Sequence, residues 1–336
     1  MSRREPSGSA PVRVHVAGLA SRTHLVYAAS YLRHLLRRTT GPVEVVARPT
    51  GGFRGRTPLT DAEVTAGLPH DPLLTAVPAA AERRPGARTV LLSVGVPGIK
   101  PYLRLLADER RPPWVVVCDE GLGTYGSLGT RHAALRREGS AEPKASIVAA
   151  ARTGADRGLT DQRWRLYVRD RRQGWQIEPD VAEEFRRALT RSGTPRRVAV
   201  YLTQPWVELG LLSADAYRRH LDAVAASCRS AGLRLQVRPH PVEEPGRYAG
   251  LDLITGPVPA ELDARVVDAS AVLGGPSTAL LNLAAVHGVP AIWLRLPETR
   301  ALEAAMSERQ RSLLSAFVPE RAAAFDLVPL LTRLRP

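Results

Sequence analysis

Asp119 and Glu120 stand between two stretches of opposite character. Before them runs Trp114-Val115-Val116-Val117-Cys118; after them runs Gly121-Leu122-Gly123-Thr124-Tyr125-Gly126. A valine-rich run of five apolar residues predicts a strand buried in a parallel sheet. In such sheets ligands sit outside the carboxyl ends of the strands. Two acids at that end, followed by glycines that let a substrate approach the backbone, make a candidate general base at the mouth of a cleft. The plainer reading is a solvated acidic loop. The same glycines also fit G-x-G-x-x-G, the dinucleotide fingerprint. Against that, Asp119 and Glu120 would face the pyrophosphate. The downstream segment Arg136-Arg137-Glu138-Gly139-Ser140 is also a polar loop where the fingerprint needs a strand ending in an acid.

Three further motifs lie between residues 235 and 280. Val237-Arg238-Pro239-His240-Pro241 follows a predicted strand. Its prolines fix the backbone around His240, and an imidazole so held can donate to a phosphate oxygen or act as an acid. Val258-Pro259-Ala260-Glu261-Leu262 places Glu261 just inside a helix start. There it is either a dipole partner or a ligand for ribose hydroxyls. Gly274-Gly275-Pro276-Ser277-Thr278 precedes a predicted helix, with Ser277 as its N-cap and a ready anion site at its N-terminus. Each has a structural explanation alone. Together they stand where one nucleotide could be held.

The elements that must position these residues form two series of alternating strands and helices. The first has strands at Val12–Ala17, Val43–Ala47, Val90–Val94 and Trp114–Cys118, with a helix at Leu25–Leu36. Residues 1–11 read as a disordered tail, residues 49–60 as a loop, and residues 126–175 fit no clear pattern. Ser192-Gly193-Thr194-Pro195-Arg196 reads as a linker. The second series has strands at Arg197–Leu202, Leu233–Val237, within Val266–Leu273 and at Ala291–Leu294. Its helices are Ala214–Arg229, capped by Ser213, and Ala279–Val286. A last helix, about Pro319–Leu334, could pack back on the first domain. The fold class is therefore α/β with two Rossmann-like domains, at 12–193 and 196–318.

The 336 residues suffice for two cores, and 44% hydrophobic with 24% charged residues is a soluble globular composition. No apolar run approaches the ~18 residues of a membrane span, and no apolar signal core opens the chain. Two cysteines, Cys118 and Cys228, make neither a disulfide framework nor a zinc site. A cytoplasmic protein is expected. Charge is uneven. Residues 1–200 carry 33 Lys+Arg against 19 Asp+Glu, whereas residues 201–336 carry 14 of each. The whole net charge of +14 thus lies in the first part, which suits a polyanionic partner.

In their order, Asp119-Glu120-Gly121, His240-Pro241, Glu261 and Ser277-Thr278 resemble the motifs of bacterial sialyltransferases, with the polysialyltransferase-like branch nearest. The one departure is Ser-Thr where that family has Ser-Ser. The resemblance implies a GT-B fold, two Rossmann-like domains facing a cleft, and inverting transfer from a CMP-activated sialic or other nonulosonic acid without metal or cofactor. It implies Asp119 as the base, with Glu120 as alternate. His240 would hold the CMP phosphate and stabilise the leaving group, and Pro241 would shape its loop. Glu261 would hold the ribose, while Gly275, Ser277 and Thr278 would form the phosphate site. The acceptor would be a glycan or acidic polymer, with peripheral contact to an anionic membrane. Two alternatives remain: a GT-B transferase using a UDP- or GDP-sugar, and a basic nucleic-acid-binding protein. The second is disfavoured, because basic residues are not interleaved with aromatics and no nucleic-acid motif occurs.

Overall fold

The computed structural model describes residues 4–49, 58–137, 139–189 and 196–334. The chain forms two compact units: residues 1–124 with 134–184, and residues 125–133 with 185–336. Each carries a parallel sheet with helices in its connections, so the expected α/β class with two Rossmann-like domains is the one observed.

In unit 1, strands β1 (Val12–Leu19), β2 (Val43–Pro49), β3 (Leu74–Ala76), β4 (Arg88–Val94), β5 (Trp114–Cys118) and β6 (Gln162–Trp164) align in the order β3-β2-β1-β4-β5-β6. Helices α1 (Arg22–Arg38), α2 (Asp61–Ala66), α3 (Ile99–Glu109), α4 (Leu128–Arg137) and α5 (Lys144–Gly158) lie in the connections. This is the dinucleotide-fold order, whose switch point lies between β1 and β4. A hairpin, β7 (Tyr167–Asp170) with β8 (Gly174–Ile177), and helix α6 (Pro179–Arg187) follow. The alternation Val-Arg-Val-His-Val in β1 suggests a half-exposed strand, yet β1 is central. Arg13 is buried beside Glu44 at 3.6 Å, and its guanidinium donates to the carbonyls of Ala81 and Glu82. An ion pair with added hydrogen bonds is what keeps a charge in such a place.

In unit 2, strands β9 (Arg196–Leu202), β10 (Arg234–Arg238), β11 (Ala269–Gly274), β12 (Ala291–Leu294) and β13 (Glu320–Ala322) align in the order β10-β9-β11-β12-β13. Helices α7 (Ala214–Ser230), α8 (Ala264–Val267), α9 (Thr278–His287), α10 (Arg300–Ala304), α11 (Glu308–Phe317) and α12 (Leu327–Arg333) complete it. The switch point lies between β9 and β11. The core joins the stripe Tyr217, Leu221, Val224 and Cys228 of α7 to Tyr201 and Val237 of the sheet, to Leu233 just before β10 and to Leu327 and Leu331 of α12. Each such leucine contributes ~1.5–3 kcal/mol by leaving water.

Three expectations change. Residues 4–11 are anchored rather than disordered: Gly8 bridges Thr39, and the Glu5 carboxylate pairs with His34 and Arg38. The C-terminal segment is no single helix. Residues 320–322 pair with β12 as an edge strand, and α12 then packs on α7 within unit 2. The boundary also runs differently, since residues 125–133 belong to unit 2: Ser307 donates to the Tyr125 carbonyl at 3.0 Å and Arg309 lies over its ring. Residues 192–195 of the predicted linker, and 50–57 of the predicted loop, lie outside the described residues. Among the described residues no helix is long and apolar enough to cross a membrane.

Candidate functional site

In unit 1 the acid pair sits where β4 and β5 end level, Val94 opposite Cys118. The next residue of each strand starts a loop, and Gly95 N–H still donates to the Cys118 carbonyl at 3.0 Å. The two acids then diverge. Asp119 is fully buried; its N–H donates to the Trp164 carbonyl at 3.2 Å, and its Oδ2 accepts from Leu166 N–H at 2.9 Å. Asp119 thus ties the end of β5 to the chain leaving β6. Glu120 is exposed, with its N–H donating to Thr124 Oγ1 at 3.0 Å. The Glu120 carboxylate lies over Gly95 and Gly123, and a Cβ at Gly95 would overlap it. The expectation named Asp119 first. Of the pair, Asp119 is the buried carboxylate and Glu120 the exposed one. Cys118 is a buried thiol, pushed well above its ordinary range by burial and by Asp119.

In unit 2 the three strands around the switch point also end level: Leu202 of β9 pairs with Arg238 on one side and Gly274 on the other. Thr203-Gln204, Pro239-His240 and Gly275–Ser277 therefore leave the same edge of the sheet. His240 is half-buried. Its backbone N–H donates to Thr203 Oγ1 at 2.7 Å and to Glu243 Oε2 at 2.8 Å. Its Nδ1 accepts from Val242 N–H at 3.4 Å, which places the proton of a neutral ring on Nε2. That tautomer can donate to a phosphate oxygen. Pro241 is exposed at the tip of this turn.

Ser277 caps α9 as expected, its Oγ accepting from Leu280 N–H at 3.1 Å, so the hydroxyl proton remains able to donate. Thr278 follows in the first turn, half-buried. Gly275 is buried against Trp206: a Cβ there would stand 2.7 Å from Cζ2 of an indole that is itself buried. Glu261 is buried in a single helical turn, 260–262, which packs against α9. The structure thus gathers His240, Gly275, Ser277 and Thr278 at one sheet edge, with Glu261 on an element that touches α9.

Glu243 escaped the sequence reading. Its carboxylate accepts from Tyr248 Oη at 2.7 Å, from the Thr203 hydroxyl and from His240 N–H, and burial pushes it above the usual carboxylate range. In sequence, Glu243-Glu244 before a proline reads as a solvated loop. Among the described residues no group of three or more His, Cys, Asp or Glu is placed to hold a metal ion.

No protein-family model and no curated protein matches the chain, so the sialyltransferase resemblance rests on the motifs quoted above. Solved structures with a similar course include a UDP-glucosyltransferase from Polygonum tinctorium, at 11% identity, covering 97% of this chain and 89% of that one with a TM-score of 0.48. The heptosyltransferase WaaC of E. coli, solved with ADP, matches at 12% identity over 96% and 100% with a TM-score of 0.43. MurG of Acinetobacter baumannii matches at 11% over 98% and 90% with a TM-score of 0.39. The likeness is to the paired α/β architecture of these proteins, and at such identities and scores it assigns this chain neither donor nor activity.

Proposed function

We propose that the chain is a GT-B-type glycosyltransferase that takes a sugar from a nucleotide-activated donor, with the nucleotide on unit 2 and Glu120 of unit 1 as the base. The observation that carries this is the level ending of β10, β9 and β11. It puts an imidazole with its proton on Nε2 and the capped N-terminus of α9 on either side of a switch point. Glu120 takes the proton of the acceptor hydroxyl. The acceptor oxygen bonds to the anomeric carbon as the bond from that carbon to the phosphate oxygen breaks, with inversion. The electron pair leaves on the phosphate or diphosphate of the donor, along which His240 Nε2–H, the Ser277 hydroxyl and the α9 N-terminus stabilise the charge.

Two donor classes are each favoured by an observation. The strands bearing His240 and Ser277 are separated by β9, so they stand roughly 10 Å apart, a wider gap than one phosphate fills. This favours a nucleoside-diphosphate sugar. The motif order favours a CMP-linked nonulosonic acid. Calorimetric titration with CMP, UDP, ADP and GDP, each with and without EDTA, separates the two classes. Saturable binding of a diphosphate alone selects the first, and of CMP alone the second. Binding of none overturns the donor site.

The acceptor proposed is an acidic polymer, since the excess of 33 basic over 19 acidic residues lies in residues 1–200. Its affinity then falls steeply as salt rises. An affinity indifferent to salt would remove charge from acceptor recognition.

A further inference from the structure

The turn 240–243 closes on itself twice. Glu243 N–H donates to the His240 carbonyl at 2.9 Å, and His240 N–H donates back to the Glu243 carboxylate at 2.8 Å. The first is a backbone turn; the second is the carboxylate half of a helix capping box, here used to hold a loop. The Glu243 side chain has no exposed surface. Its other oxygen accepts from Tyr248 Oη at 2.7 Å, and Arg247 Nη1 approaches that same oxygen to 3.8 Å. The Thr203 hydroxyl, at the end of β9, bonds both Glu243 and His240 N–H. One step further, Tyr217 Oη accepts from Gln204 N–H at 3.2 Å. One buried carboxylate therefore joins the loop after β10 to the loop after β9.

A solvated turn needs none of this. Burying a carboxyl costs several kcal/mol unless its partners are in place, and on Oε2 both partners, His240 N–H and the Thr203 hydroxyl, meet at the backbone that presents His240. With the turn closed, Val242 N–H reaches His240 Nδ1 and sets the ring's tautomer.

We propose that Glu243 is a positioning residue: by closing the 240–243 turn onto Thr203 it fixes the orientation and Nε2–H tautomer of His240. The inference rests on the reading of unit 2 as a nucleotide site for its benefit, but not for its geometry.

The test uses the full chain labelled with 15N-histidine. Ring nitrogen shifts of His240, assigned with His240→Gln, report the tautomer, and calorimetry with UDP and CMP reports affinity. In wild type, His240 shows a protonated Nε2 and an unprotonated Nδ1. In Glu243→Ala the ring relaxes toward the mixture of a free neutral imidazole, in which Nε2–H still predominates, so a minor Nδ1–H population appears, and nucleotide affinity falls roughly tenfold or more, as for a misplaced binding group. Glu243→Gln keeps one acceptor oxygen and restores part of both; it also serves if the alanine variant does not fold. Tyr248→Phe removes a partner from the far oxygen and leaves the His240 tautomer as in wild type. The inference is overturned if Glu243→Ala and Glu243→Gln keep the wild-type tautomer and affinity while only melting earlier. If wild type binds neither nucleotide, the donor site fails, yet the tautomer ratios still decide the role of Glu243.

Discussion

The carboxylate of Glu120 occupies the space that the absent side chain of Gly95 leaves at the end of β4. Gly95 also has φ +77, a left-handed backbone that costs other residues about 1–2 kcal/mol. Gly95→Ala should therefore cost about that much in stability and displace Glu120. Turnover should drop well beyond what the stability loss explains, while nucleotide affinity stays at the wild-type value. A kcat close to wild type in a variant that remains folded would show that the placement of Glu120 is immaterial to transfer.

The division between the two acids predicts opposite phenotypes. Glu120→Gln changes an exposed side chain, so the melting temperature should hardly move. Transfer should fall on the order of 10²–10⁴-fold, the usual contribution of a general base. Asp119→Asn weakens a buried acceptor of Leu166 N–H and should cost about 1–3 kcal/mol in unfolding free energy. Full activity in Glu120→Gln, with loss in a stable Asp119→Asn, would return the base to Asp119.

Ser277 has two candidate roles that a pair of substitutions can separate. Loss of the cap on α9 in Ser277→Ala should cost about 1 kcal/mol. Ser277→Gly, which costs a cap only a few tenths, lacks the hydroxyl as well. If the hydroxyl donates to phosphate, both variants lose nucleotide affinity equally, despite their different stabilities. Affinity that follows stability would leave Ser277 as a cap alone. Gly275→Ala provides a steric counterpart: the new methyl would meet the buried Trp206 indole at 2.7 Å and shift the loop that presents Ser277. Its nucleotide affinity should fall without loss of the cap.

What could be read in the sequence follows from where the physics is local. The strands β5 and β12 match their expected bounds to the residue, because a continuous apolar run has no other cause in a parallel sheet. The caps Ser213 and Ser277 were legible, since a cap is made by its own neighbours. Residues 126–175 were not. Helix α4 buries only Leu135, and α5 buries only alanines, so neither shows a stripe of large apolar residues. The strand β13 hid within Ala-rich sequence, because its state is decided by pairing with β12. At the site, Glu243 takes its meaning from Thr203, forty positions away. The order of burial in Asp119-Glu120 is likewise set by Leu166 and by Gly95, both distant in sequence.

His220 gives the fold a dependence on pH with a defined sign. It lies on α7 against the rings of Tyr201, at 5.7 Å between centroids, and Tyr217, at 6.3 Å. Burial lowers its pKa from 6.5 to about 4, opposed in part by Glu298, the acid that faces it. Its folded form is therefore neutral across a range where the unfolded chain takes up a proton. The contribution is fully present above pH 6.5 and is lost as pH falls toward about 4, because the unfolded state binds the extra proton. Burial raises the carboxyl of Glu243, which acts in the opposite sense, so the comparison must be between variants. In His220→Phe the ring packing is kept and the titrating group is gone. Urea midpoints measured from pH 7 to pH 4 should therefore fall less steeply in His220→Phe than in wild type. Parallel curves for the two proteins would mean that His220 titrates in the folded state as it does in the unfolded chain.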